Sequence, residues 1–374
     1  MAGIYLHIPF CKQACNYCNF HFTTSLRYKA DLVQALAREV ELQKGFLEGE
    51  TVETIYFGGG TPSLLSTGEV HLLLQTIYKE FNVSAGAEIT LEANPDDITA
   101  QKLAAWKGEG INRLSIGIQS FFEEELAWMN RAHNAGQAEN CIELSLAAGF
   151  QNFSIDLIYG SPLLTDEMWQ QNVDKAVSYG ITHLSCYALT VEEKTPLHKL
   201  IHTQQRQPVD ADKQAQQFLL LMQWLKKAGY EHYEVSNFAK PGYRSRHNSS
   251  YWQGKKYLGL GPSAHSYNGR HRMWNKAANP IYIRSIGEGI VPQEKEELTL
   301  TEQLNEFIMI SLRTAEGLNL EQVAQQFGRD KKSILEKELA KHFAHNLVKK
   351  EGNAVQLTES GMLMADGIAA DLFF

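Results

Sequence analysis

The sequence has no apolar run long enough to span a membrane, because its longest apolar runs have only the length of a strand. It also has no basic excess. With 35 Lys and Arg against 43 Asp and Glu, the formal net charge is −8, which argues against a broad nucleic-acid surface. The N-terminus shows no basic region followed by an apolar segment, so no signal peptide is expected. We therefore expect a cytoplasmic protein with no integral membrane segment and no nucleic-acid partner.

Cysteine is scarce and unevenly distributed. An odd total of five does not predict a disulfide framework, and a chain of 374 residues can bury a core without one. Three of the five, Cys11, Cys15 and Cys18, lie within eight residues. Cys141 and Cys186 stand alone and are expected to be buried thiols. The clustered thiols therefore call for a different explanation.

Strand-like runs alternate with helical segments through the first half of the chain. Parallel strands need crossover helices, so this alternation predicts an α/β fold with six parallel strands. We expect this α/β part at 1–230 and an aromatic and His-rich extension at 231–299, which reads as a strand, a long loop, a second strand and a connector. At 300–374 we expect a mostly helical, winged-helix-like domain of three helices, a hairpin and a last helix. The six runs are 3–9, 54–60, 88–95, 113–120, 152–160 and 183–190.

Polar residues gather where these runs end. Cys11 follows the first run, the glycines 58–60 end the second, and Glu92 lies near the end of the third. In α/β barrels and open sheets the carboxyl edge carries the chemistry. We therefore expect one site at this edge, with the three thiols at its mouth.

Three explanations compete for the clustered cysteines. They could be buried structural residues, although their spacing argues against this. They could bind zinc, but structural zinc usually takes four ligands, so His7 or His21 would have to supply one more. They could hold an iron–sulfur cluster, because thiolates are soft ligands and one loop can wrap a cubane. Three thiolates for four irons would leave one iron open to bind a ligand.

The spacing C-x3-C-x2-C, with Tyr17 before the last cysteine, resembles the signature of radical S-adenosylmethionine (SAM) enzymes. The segment GGGTPS at 58–63 resembles the glycine motif of the same superfamily. This resemblance implies that the six strands form a partial (β/α)6 barrel and that Cys11, Cys15 and Cys18 hold a [4Fe–4S] cluster. It also implies that the open iron chelates adenosylmethionine, which the cluster cleaves to a 5′-deoxyadenosyl radical.

Further segments narrow the resemblance to the branch that contains the coproporphyrinogen dehydrogenases, and this resemblance covers almost the whole chain, including its C-terminal part. They are IYLHIPFC, FGGGTPS, EANP, RLSIGIQSF, IDLIYG and HLSCYALT. The resemblance implies that Tyr5, Gly59 and Glu92 contact the adenosylmethionine on the cluster. It also implies a second adenosylmethionine in the dehydrogenases, held at the positions of Tyr17, Gly60, Thr61, Gln119, Arg131 and Asp156.

Two departures from the dehydrogenases resemble their sister group, the haem chaperones of the HemW type. Phe20 occupies the position of a fourth cysteine, and Tyr5 lies so near the start that no N-terminal extension is expected. The stretch HNSSYW at 247–252 matches the H-N-x-x-Y-W pattern of that group. His247 could ligate haem iron and the aromatics could stack on a porphyrin, or the motif could be a polar turn packed on the core. The haem residues implied are His247, Asn248, Tyr251 and Trp252, with His265 and His271 as weaker alternatives.

The leading hypothesis is a haem chaperone that binds a [4Fe–4S] cluster, S-adenosylmethionine and haem and transfers haem to an acceptor apoprotein. The alternative is an oxygen-independent coproporphyrinogen III dehydrogenase of porphyrin biosynthesis, and a zinc-binding structural protein comes third. Expected partners are haem or a porphyrin precursor, a haem-accepting apoprotein and a reductant for the cluster. The sequence leaves open whether the chain is an enzyme, which haem acceptor it serves, and its oligomeric state.

Overall fold

A single twelve-stranded sheet organises most of the chain in the computed structural model, which describes residues 2–374. Its spatial order is β12-β11-β10-β9-β1-β2-β3-β4-β5-β6-β8-β7, and the neighbours from β9 through β6 are parallel. The six predicted parallel strands are thus confirmed. The strands are β1 (Ala2–Ile8), β2 (Val52–Gly59), β3 (Val83–Ala93), β4 (Arg113–Gln119), β5 (Phe153–Tyr159), β6 (His183–Ala188), β7 (Glu231–Glu234), β8 (Asn237–Ala239), β9 (Tyr257–Leu260), β10 (His265–Tyr267), β11 (His271–Asn275) and β12 (Gln293–Glu297).

Helices connect the parallel strands, as the alternation in the sequence predicts. Side-chain caps define where several begin: Ser66 and Glu69 form a capping box, and Thr165 and Asp210 accept backbone N–H groups. The helices up to the end of the sheet are α1 (Lys29–Leu42), α2 (Thr67–Glu80), α3 (Ala100–Gly108), α4 (Glu123–Trp128), α5 (Ala135–Ala147), α6 (Asp166–Ser178), α7 (Pro196–His202), α8 (Ala211–Lys227), α9 (Arg246–Trp252) and α10 (Asn279–Gly287).

The extension at 231–299 contains more regular structure than the sequence indicates. We expected a strand, a long loop, a second strand and a connector, but the segment forms β7–β12 and the helices α9 and α10. Its strands have only three to five residues, too short for a clear alternation of apolar and polar side chains. The charged run 294–297 is exposed on the edge strand β12, where charge discourages pairing with another sheet.

The C-terminal part has its own apolar core, built around Leu304, Ile308, Leu335 and Val355. The predicted order of three helices, a hairpin and a final helix is confirmed, with one short extra strand and the last helix in two pieces. No helix within residues 2–374 is long and apolar enough to cross a membrane. The elements are α11 (Leu300–Leu312), β13 (Leu318–Asn319), α12 (Leu320–Phe327), α13 (Arg329–Ala344), β14 (Val348–Glu351), β15 (Ala354–Leu357), α14 (Glu359–Met362) and α15 (Ala365–Asp371).

A buried carboxylate joins the extension to the barrel. Glu39 of α1 is completely buried and accepts hydrogen bonds from the Tyr282 hydroxyl (2.6 Å), the Asn275 amide (2.7 Å) and the Gly261 backbone N–H (2.8 Å). Burial raises the pKa of Glu39 to about 7, although the three hydrogen bonds oppose the shift. Ionisation of this side chain therefore costs more in the folded than in the unfolded chain.

We expect Glu39→Gln to flatten part of the pH dependence of stability. A raised pKa in the folded state means that stability is complete below about pH 4.5 and is lost as the pH rises through 7. The loss is on the order of 3 kcal/mol. Urea unfolding of both proteins between pH 4.5 and 8 should show the wild type losing this amount relative to the variant. Parallel stability curves would contradict the assignment.

Candidate functional site

The parallel strands are buried on both faces except at a few positions that line the barrel lumen. In β1 the one residue that is not fully buried is Tyr5, and in β5 it is Asp156. In the inner half of β3 it is Glu92, and in β4 it is Gly117. Strand alternation aims these positions toward the lumen, so the predicted residues Tyr5, Glu92 and Asp156 share one accessible surface.

The cysteine segment is a loop that leaves the carboxyl end of β1. Its base is closed where the Cys11 N–H donates to the Thr23 carbonyl (3.0 Å) and the Thr23 N–H donates to the Pro9 carbonyl (2.9 Å). The three thiols are free and half-buried. Burial raises the pKa of the Cys11 thiol to about 11, opposed by a hydrogen bond to Thr61, and burial also raises the pKa of Cys18. Metal binding at this loop would therefore release protons.

The segment between α4 and α5 clamps this loop. The Gln13 side-chain amide donates to the carbonyl (3.0 Å) and to Oδ1 (2.9 Å) of Asn130, and the Asn130 amide donates to the Ala14 carbonyl (2.7 Å). The Asn16 N–H donates to the Met129 carbonyl (3.1 Å). Asn130 adopts a left-handed conformation (φ 56°), which asparagine tolerates better than most residues. The thiols are thus presented on a preorganised loop.

Arg131 joins the thiol loop to the strand ends. Its guanidinium donates to the Cys15 sulfur (3.2 Å), to Asn94 Oδ1 (2.9 Å) and to the Gly117 carbonyl (2.9 Å). Tyr17 lies against the same guanidinium. The family resemblance implies that Arg131 contacts a second adenosylmethionine, and this contact stays a prediction. A hydrogen bond to a cluster thiolate would also influence the reduction potential of a cluster.

Glu92 lies at the centre of the lumen surface. Its carboxylate accepts hydrogen bonds from the Tyr56 hydroxyl (2.8 Å) and the Gly59 N–H (3.1 Å). Burial raises the pKa of Glu92 to about 7, and the neighbouring Asp156 carboxylate adds to the shift. Burial also raises the pKa of Asp156, to about 6. Two carboxylates in a confined site favour a cationic group such as an ammonium, or the hydroxyl groups of a ribose.

The glycines of GGGTPS are required by the packing of the chain on itself. Gly59 has φ 104°, and a Cβ there would lie 2.5 Å from the His7 ring. A Cβ on Gly60 would lie 2.7 Å from the carbonyl oxygens of Ile8 and Phe10, at the start of the thiol loop. Only glycine allows this approach of β2 to the loop after β1. The predicted contact of Gly59 and Gly60 with adenosylmethionine stays a prediction.

Gln119 and Thr61 complete the set of predicted residues. Gln119 ends β4 in a left-handed conformation (φ 65°), which costs a residue with a Cβ on the order of 1 kcal/mol and is often found at functional sites. Thr61 is buried and receives a weak hydrogen bond from the Asn94 amide (3.5 Å). Hydrogen bonds of Arg131 connect the thiol loop to β4, and those of Glu92 connect β3 to β2. The contact of the nine predicted residues with adenosylmethionine stays a prediction.

The zinc alternative finds no assembled site. Among residues 2–374, no three His, Cys, Asp or Glu side chains converge on a point that could hold a single metal ion. Nε2 of His7 is engaged with the His21 carbonyl (2.9 Å), and Nε2 of His21 with Asn279 (2.8 Å). In a four-iron cluster each thiolate binds a different iron, so the thiolates need not converge in this way. The donor set therefore fits a cluster better than a lone zinc ion.

The HNSSYW segment lies at the other end of the lumen, in α9. His247 is 1% exposed, its Nδ1 contacts the Thr54 hydroxyl (2.8 Å) and its Nε2 the Tyr251 hydroxyl (2.9 Å). Neither ring nitrogen is free to bind iron unless one of these hydrogen bonds opens. Asn248, Tyr251 and Trp252 are half-buried. The haem role of this segment stays a prediction.

Several site residues escaped the sequence analysis. The clamp of Gln13, Asn16 and Asn130 gave no signal, because its partners are more than a hundred residues apart. Tyr56 could have been found, since strand alternation places it on the same face as Gly58 in an otherwise apolar run. The hydroxyl of Tyr56 donates a hydrogen bond to Glu92, a contact that the sequence analysis did not predict.

Comparison with known proteins agrees with this geometry. Residues 5–176 match the radical SAM superfamily, and residues 298–364 match the HemN C-terminal domain. A solved structure of coproporphyrinogen III oxidase (HemN) from Escherichia coli, a radical SAM enzyme, superposes with a TM-score of 0.85 at 23% identity. The match covers 100% of this chain and 90% of that chain, and it establishes a shared fold. The fold and the thiol loop are those of a radical SAM protein.

Relatives that match over the full length show which family of the radical SAM superfamily the chain resembles. The chain is 34% identical to the heme chaperone HemW of Mycobacterium tuberculosis, over 99% of this chain and 94% of that protein. It is 32% identical to HemW of Bacillus subtilis, over 98% of both chains, and 32% identical to HemW of Escherichia coli, over 98% of this chain and 96% of the relative. The chain therefore belongs to the HemW family of the radical SAM superfamily.

Proposed function

We propose that the chain is a cytoplasmic haem chaperone that carries a [4Fe–4S] cluster on Cys11, Cys15 and Cys18, binds S-adenosylmethionine and haem, and passes haem to an acceptor apoprotein. The observation that carries the proposal is the full-length similarity to proteins named heme chaperones. Phe20 also supports the proposal, because it stands where the dehydrogenases have a further cysteine. Its side chain is 68% exposed beside the thiol loop.

The residues of the site suit these roles. Each of the three thiols on the clamped loop would bind one iron of the four-iron cluster and would lose its proton on metal binding. A bound cluster would supply an electron to adenosylmethionine. Glu92 and Asp156 would accept hydrogen bonds from the ammonium and ribose hydroxyls, and Arg131 would meet a carboxylate. A haem role for His247 would require its imidazole to leave Thr54 and Tyr251.

A coproporphyrinogen III dehydrogenase is the second candidate. It is favoured by the shared fold with the Escherichia coli oxidase and by the lumen, which presents carboxylates and an arginine at the cluster end. Both candidates need the cluster and adenosylmethionine. They differ in whether a porphyrinogen is converted or haem is bound and released.

One reconstituted sample can separate the two candidates. We expect haem titration under nitrogen to give a saturable absorption change, whereas coproporphyrinogen III should remain unconverted in the presence of adenosylmethionine and reductant. Cys11→Ser, which lacks a cluster ligand, should keep much of the haem binding. Steady formation of protoporphyrinogen IX would overturn the chaperone proposal, and absence of any haem binding would do so as well.

A further inference from the structure

The side chain of His247 is sealed into the floor of the barrel lumen. Both ring nitrogens are hydrogen-bonded, and the backbone N–H donates to the Glu88 carboxylate (3.0 Å). Burial lowers the pKa of His247 to about 3, with the nearby Arg113 cation adding to the shift. The imidazole is therefore neutral at physiological pH and fixed by its partners on β2 and α9.

This ring carries an aromatic stack that leads toward the site. The imidazole stacks on Tyr56, with ring centroids 4.9 Å apart and planes 26° apart, and more distantly on Tyr5, at 6.4 Å and 28°. Tyr5 and Tyr56 are themselves stacked at 6.1 Å. The Tyr56 hydroxyl then donates to Glu92. Tyr56 alone therefore connects His247 of α9 with the carboxylate of Glu92.

The stack has little freedom to shift. A Cβ on Gly3 would lie 2.8 Å from the Thr54 hydroxyl and 3.4 Å from the imidazole. A Cβ on Gly58 would lie 2.8 Å from Tyr5, 2.9 Å from Tyr56 and 3.1 Å from Glu92. Because close-packed interiors transmit displacements, a cavity under Tyr56 would change where its hydroxyl points.

We propose that His247 is a positioning residue for the adenosylmethionine site, acting through Tyr56 on Glu92, and is not an axial ligand of haem. The inference rests on the proposed binding of adenosylmethionine at Glu92. Tyr251 of the same helix fixes the imidazole through a hydrogen bond. In this proposal the HNSSYW segment supports the adenosylmethionine site and does not bind haem iron through His247.

A double-mutant cycle on anaerobically reconstituted protein tests this coupling, with adenosylmethionine affinity measured by calorimetry. His247→Ala removes the support beneath the Tyr56 ring, and Tyr56→Phe removes the hydroxyl that it positions. We expect each variant to bind about tenfold more weakly. Two independent sites would together weaken adenosylmethionine binding about hundredfold. Because both substitutions act through one hydrogen bond, the double variant should lose far less affinity than that. A full hundredfold loss, or unchanged affinity in His247→Ala, would overturn the proposal.

Haem absorption of the same proteins supplies the second measurement. We expect the spectrum and affinity of bound haem to be unchanged in His247→Ala, and loss of the spectrum would overturn the proposal. His247→Phe guards against misfolding of the alanine variant, because it keeps a ring on Tyr56 but cannot bind iron. It should retain adenosylmethionine affinity within a few-fold, and a loss as large as in His247→Ala would contradict the stacking role. Wild-type protein that binds no adenosylmethionine would instead refute the proposed function.

Discussion

Replacing Cys15 by serine is expected to abolish cluster assembly. A hard hydroxyl would replace a soft thiolate, and the proposed site has only three protein ligands, so none can be spared. Iron and sulfide content after anaerobic reconstitution should fall to background, and the visible absorption of the cluster should be absent. Because Cys15 is half-buried on a surface loop, the fold should be retained.

Cys141 provides a matched control, because it is a thiol of the same chain buried in the apolar core. Cys141→Ala should cost a little stability through a small cavity, but it should load iron and sulfide as the wild type does. Normal cluster content in Cys15→Ser would refute the assignment of the ligands. Equal loss in both variants would point to general misfolding.

The second large effect is expected at Glu92. Glu92→Gln removes the charge that would meet the ammonium group of adenosylmethionine but keeps the shape of the side chain. The loss of a charge-assisted hydrogen bond, about 1.5–3 kcal/mol, weakens binding by roughly 10- to 150-fold. Calorimetry on the reconstituted protein measures it directly.

The pH dependence of binding gives an independent check. The pKa of Glu92, raised to about 7 by burial, means that its carboxylate gains a proton as the pH falls below 7. Adenosylmethionine affinity of the wild type should therefore decrease at lower pH. Glu39→Gln removes another buried carboxylate outside the lumen, and it should leave the affinity unchanged. If Glu92→Gln and Glu39→Gln bind equally well, the ligand lies elsewhere.

The sequence determined the class of this protein, because the signals of that class are local. Strand-length apolar runs separated by helices predict a parallel sheet, and three cysteines in one loop predict a shared metal group whatever surrounds them. Polar residues at strand ends meet at one edge by the geometry of parallel strands, so Cys11, the glycines 58–60 and Glu92 could be grouped in advance. Tyr5 and Asp156 lie in the middle of their strands, and their roles were implied only by the family resemblance.

Only the tertiary structure decided how these parts support one another. The clamp of Asn130 on the thiol loop joins residues more than a hundred positions apart, and no local pattern reports such a contact. The same holds for the hydrogen bonds of His247 with Thr54 and Tyr251, which the motif alone does not indicate. Residue types and their spacing indicate which chemistry is available. Burial and long-range hydrogen bonds, which arise only when the chain folds, decide which atoms remain free to take part in it.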